Sequence, residues 1–161
     1  HTIQRRGPLE KIAVDGHVLG FVPDFGQLRA TGGRLEASKV GIKKASTFPG
    51  FCASHDRDTF AAIETVPIIP TSEQVFLIAY RALCKELFQK RAQSDVAAEV
   101  LRNADRGRPV HEQVAFQAWR SAHAEGTQLA MRDLVREKAK HDEILLNETW
   151  ESEYQFGRVA R

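Results

Sequence analysis

The chain has 161 residues, of which 42% are apolar and 27% charged, enough for one ordinary domain or for a small module joined to a helical body. A net charge of only +2 excludes a protein that binds nucleic acid by bulk electrostatics alone, and the two cysteines, Cys52 and Cys84, exclude a disulfide framework and fit a reducing cytosol. No run of about 18 apolar residues and no charged-then-apolar leader is present, so the sequence reads as a cytoplasmic protein with no membrane partner.

In chain order, Gly7-Pro8 interrupts the first segment, and Pro8 fits the first turn of a short helix running to Ala13. Ile12-Ala13-Val14 and His17-Val18-Leu19-Gly20-Phe21-Val22 flank Asp15-Gly16. A hairpin closed by that turn is expected, with Pro23 ending its second strand. Residues 23–50 carry Gly26, Gly32, Gly33, Gly41 and Gly50 and read as turns, with a short strand at Val40-Gly41-Ile42. Gly32-Gly33 is not followed by the Gly-Lys-Ser/Thr of a phosphate loop. Arg34, Lys39, Lys43 and Lys44 make this stretch basic. They read either as contacts to nucleic-acid phosphates or as a solvated loop without interleaved aromatics.

A helix is expected from about His55 to Thr65, with Phe60 and Ile63 turned inward. Pro67 and Pro70 make residues 66–70 an extended linker. Thr71 and Gln74 have the spacing of a capping box, and a long helix follows. Phe76, Tyr80, Leu83 and Leu87 form its stripe, widened by Leu77, Cys84 and Phe88, and the pattern continues through Leu101. Asn103 to Pro109 is a loop. A second long helix begins at Val110, with Val114, Ala118, Trp119 and Ala122 as its predicted core face. Gly126 weakens its middle by roughly 1 kcal/mol relative to alanine. The tail from Trp150 to Arg161 reads as a strand. One α-hairpin cannot bury so broad an apolar face alone. It must pack on the N-terminal module or on a partner chain, a homodimer included.

The chemically most specific stretch is Gly50-Phe51-Cys52-Ala53-Ser54-His55-Asp56. A Cys-x-x-His pair on the first turn of a helix presents a thiolate and an imidazole to one metal ion, and zinc favours that donor set. Cys52 and His55 are therefore the predicted ligands, with Asp56 as the carboxylate that orients one of them. Cys84, on the long helix, reads as a packing cysteine.

A hairpin, a basic turn-rich loop and then Cys-x-x-His at the start of a short helix resemble the second half of a treble-clef zinc finger. The resemblance covers roughly residues 1–65. In that family the first ligand pair lies in a knuckle, usually Cys-x-x-Cys, which here would have to precede His1. His1-Thr2-Ile3-Gln4 is also similar to the His-apolar-Pro segment of the HNH nuclease form of the finger, with Gln4 in place of proline. The resemblance implies zinc, with Cys52 and His55 as ligands and, in the nuclease form, His1 as general base; apart from the resemblance, His1 and His17 are the remaining candidate ligands nearby in sequence. The only asparagines, Asn103 and Asn147, lie outside the finger-like segment. A soft thiolate suits a structural zinc better than a hydrolytic magnesium.

The expected fold is mainly α. A small β-hairpin and treble-clef-like zinc module at residues 1–65 packs on long antiparallel helices at residues 66–161. The expected function is that of a non-catalytic, zinc-stabilised intracellular protein that binds a partner or associates with nucleic acid. The alternative is a metal-dependent HNH-like nuclease.

Overall fold

Leu9 is buried at the end of a five-residue π-turn, Arg5–Leu9, closed by Leu9 N–H donating to the Gln4 carbonyl at 3.3 Å. Pro8 is tolerated here because a first helical turn does not use its missing N–H. The turn leads into α1 (Glu10–Ile12). The structure is a computed structural model and describes residues 3–22 and 24–153. It divides into two compact units, His1–Ile68 and Ile69–Arg161. Among the described residues the elements are mainly helical, with one small antiparallel pair of strands. Among the described residues no helix is long and apolar enough to cross a membrane.

In the first unit, β1 (His17–Gly20) pairs antiparallel with β2 (Ser38–Gly41), in a register from His17 opposite Gly41 to Gly20 opposite Ser38. This corrects the expected hairpin. The Asp15-Gly16 turn does form, with φ of 50° and 72° and with the two backbone bonds between Val14 and His17 at 2.8 and 3.0 Å. It closes only that one bridge. Ile12 is taken up by α1, so no upstream strand remains, and β1 finds its partner some twenty residues downstream.

The connection between the strands was read as turns, but it contains α2 (Phe25–Ala30). Asp24 caps this helix by accepting from Gln27 N–H at 2.8 Å. Gly32 and Gly33 end the segment with φ of 64° and 89°, a conformation open to glycine. After β2 the chain turns through Phe48-Pro49-Gly50 into α3 (Ala53–Thr59) and α4 (Ala61–Glu64). The single helix expected over 55–65 is thus broken at Phe60, whose φ of −106° and ψ of 16° leave the helical region. Phe60 and Ile63 are buried as expected, with Leu9 and Ala45.

In the second unit, α5 (Ser72–Val100) and α6 (Val110–Asn147) form an antiparallel pair, and α7 (Trp150–Glu153) follows. Thr71 Oγ accepts from Gln74 N–H at 3.2 Å. The Gln74 side chain reaches back toward the linker. Its Oε1 accepts from Ile69 N–H at 2.8 Å, which anchors the end of the linker. Phe76, Leu77, Tyr80, Cys84 and Leu87 are buried, as the α5 stripe predicts, whereas Phe88 is 37% exposed. Phe76, fully buried, is stacked between Tyr80 at 5.8 Å, His141 at 5.9 Å and Trp150 at 5.9 Å.

Two expectations for the C-terminal half are corrected. On α6, Val114 and Trp119 are more than half exposed and Ala118 and Ala122 are exposed, so they are not the core face. The helix is turned by polar anchors at its start: Gln117 Nε2 donates to buried Asp105 at 2.6 Å and Arg120 to the Leu101 carbonyl at 3.5 Å. Trp150–Glu153 is helical, not a strand. Residues 154–161 lie outside the described residues. Gly126 neither breaks α6 nor makes a close contact.

Candidate metal centre

A short aromatic ladder carries the loop that presents Cys52. Phe48 meets Phe51 edge-on at 5.8 Å, and Phe51 meets the buried Phe60 edge-on at 5.1 Å. The ladder ties the loop before α3 to the residue that ends it. Cys52 is the N-cap of α3, and its sulfur accepts from His55 N–H at 3.5 Å. A cap bond of this kind fixes the χ1 of the cysteine relative to the first helical turn.

The same turn brings the two side chains together. Cys52 Sγ lies 3.3 Å from His55 Nδ1. For a tetrahedral zinc with Zn–S of about 2.3 Å and Zn–N of about 2.05 Å, the ligand-to-ligand separation is about 3.5 Å. Both side chains are exposed, so a cation reaches them without any opening of the fold. The donor set and spacing fit half of a zinc site.

The remaining predicted residues are placed as follows. Asp56 lies one residue beyond His55 and is half-buried. Asp58, which sequence reasoning did not single out, lies on the same short helix. Asp58 accepts from Ser54 Oγ at 3.2 Å and Arg57 Nε at 2.8 Å. The Arg57 hydrogen bond holds its carboxyl below the usual range, and the nearby His55 acts in the same direction. The i,i+4 spacing of Ser54 and Asp58 on one helical face was the available signal. His1, predicted as ligand or general base, lies outside the described residues. His17 is engaged elsewhere, its Nδ1 2.7 Å from the Asp15 carbonyl. Cys84 is buried on α5 in the other unit. Among the described residues no group of three or more His, Cys, Asp or Glu side chains is arranged to hold a metal.

The predicted basic residues separate into two places. Lys39 is on β2 and is exposed, and Lys43 and Lys44 are exposed in the turn that follows. A surface groove joins Lys39 and Lys44 with His17, Val22, Gln27 and the carboxylate Asp24. Arg34 is exposed in the loop after α2, where its carbonyl accepts from Thr31 Oγ1 at 2.5 Å.

No protein-family model matches this chain, and no curated protein or solved structure matches it.

Proposed function

We propose that the first unit is a zinc-stabilised, non-catalytic module that associates with nucleic acid. Cys52 and His55 supply two zinc ligands, and His1 is the third we assign. The observation that carries the reading is the 3.3 Å approach of Cys52 Sγ to His55 Nδ1 on the first turn of α3. A thiolate and an imidazole at that separation match the softness and geometry zinc selects. Among the described residues the unit buries few large side chains, chiefly Leu9, Phe60 and Ile63, and a small core of this kind is where a structural metal adds most to stability. Lys39, Lys43, Lys44 and Arg34 supply the phosphate contacts.

The test is a cobalt(II) titration of the full chain. Thiolate ligation gives a charge-transfer band in the near ultraviolet that is absent in Cys52→Ala and diminished in His55→Ala. A cobalt spectrum unchanged by Cys52→Ala contradicts the assignment.

A second reading, a second copy of this chain bound through the long helices, is favoured by one observation. Val110, Val114, Trp119 and Leu129 of α6 are each more than half exposed. Light scattering should then report twice the chain mass, falling to one chain in Trp119→Glu. A single-chain mass for the wild type removes this reading.

A further inference from the structure

We propose that the solvent face of the β1–β2 pair binds a single-stranded nucleic acid, with Phe21 and Leu19 as the platform for unpaired bases and Lys39, Lys43 and Lys44 as the phosphate contacts. This rests on the nucleic-acid reading above and narrows it to single strands.

The register makes the platform. Leu19 stands opposite Lys39, so an apolar side chain and an ammonium group lie side by side on one face. His17 and Leu19 are exposed while Val18, Gly20 and Val40 are half-buried, which identifies the outer face. Phe21 follows the last residue of β1 directly. Leu19 is 74% exposed and Phe21 69% exposed, a heavy apolar load for so short a strand. The basic residues read from sequence as lacking interleaved aromatics; strand pairing supplies the aromatic from a segment some twenty residues earlier.

Charge matches the occupant. Residues 1–68 carry nine basic and seven acidic side chains, so the whole net charge of +2 resides in this unit. None of the ion pairs among the described residues uses Lys39, Lys43 or Lys44. From Phe21 to His17 the strip spans about 13 Å, a few nucleotides of extended strand, and the Lys43–Lys44 turn lies just beyond it. A duplex hides the base faces that an aromatic ring would cover.

The test is fluorescence anisotropy of the full chain with labelled oligothymidylate of about 15 nucleotides and a duplex of the same length. The single strand should bind at least about tenfold tighter than the duplex. Phe21→Ala should weaken single-strand binding about tenfold and leave duplex binding unchanged, while Phe21→Trp retains the preference. The exposure of Phe21 makes its loss harmless to the fold, which circular dichroism checks. Lys39→Gln with Lys43→Gln should weaken both probes and flatten the salt dependence. Equal affinity for both probes, or a Phe21→Ala variant that binds the single strand normally, overturns this inference and leaves nucleic-acid association standing. Binding to neither probe at low salt overturns both.

Discussion

The Tyr80 hydroxyl donates to Asp142 Oδ1 at 2.7 Å, joining residues 62 positions apart on α5 and α6. Lys138 completes the latch, with Nζ 2.7 and 2.8 Å from the two Asp142 oxygens and 5.4 Å from the centre of the Tyr80 ring. The ion pair is about one-third exposed, so solvent screens it and the hydrogen bond contributes as much as the charge. Asp142→Ala should therefore lower stability by about 1–2 kcal/mol, and Tyr80→Phe by about 1 kcal/mol. A urea midpoint series with the double variant should show coupling, because the two substitutions remove one shared bond. Strict additivity contradicts the latch.

The same cluster makes the second unit sensitive to alkali. Burial, then the hydrogen bond to Asp142, raises the Tyr80 hydroxyl above its ordinary range. Burial also raises the Cys84 thiol, partly opposed by Lys138. Both groups are neutral when protonated and ionise more readily in the unfolded chain. Their contribution is complete below the ordinary thiol and phenol values of about 8.5 and 10, and it is lost as pH rises beyond them. Urea midpoints should fall above about pH 8.5 and more steeply above about pH 10, and the fall above about pH 10 should be smaller in Tyr80→Phe. An equal fall in both proteins contradicts the assignment to Tyr80.

Gly50 is required by its neighbour. A Cβ at this position would collide with the Phe48 ring, which the ladder through Phe51 to Phe60 holds in place. Gly50→Ala should cost about 1–3 kcal/mol in the first unit and displace the loop that presents Cys52. Hydrogen exchange should show faster exchange at the start of α3. Protection equal to wild type there contradicts the role of the ladder.

The long helix α5 starts at a cap that can be tested without touching the core. Thr71→Ala removes the bond to Gln74 N–H and should cost about 1 kcal/mol, while Thr71→Ser should restore most of it. A serine variant as unstable as alanine contradicts a capping role.

Helical periodicity made α5 legible, because Phe76, Tyr80, Cys84 and Leu87 repeat at the helical period and are all buried. It misled on α6. There Val114 and Trp119 have the right spacing, but the helix is rotated by the polar bonds of Gln117 and Arg120, which apolar periodicity does not see. The Asp15-Gly16 turn was legible, yet its partner strand was not, since pairing with residues 38–41 is a non-local choice. Helix α2 was hidden by glycines, although Asp24 and Gln27 carried its cap. In the candidate site, the convergence of Cys52 and His55 follows from their spacing on one turn. The Ser54–Asp58 bond was legible in the same way, from i,i+4 spacing on one helical face.

The most direct test of the account is elemental mass spectrometry of the purified full chain beside Cys52→Ala. About one zinc per chain in the wild type, lost in the variant, is the predicted result. Well-folded wild-type protein without zinc, or a Cys52→Ala variant that keeps its zinc, would contradict the central claim. Cys52 would then be only the cap of α3 and His55 its hydrogen-bonded neighbour.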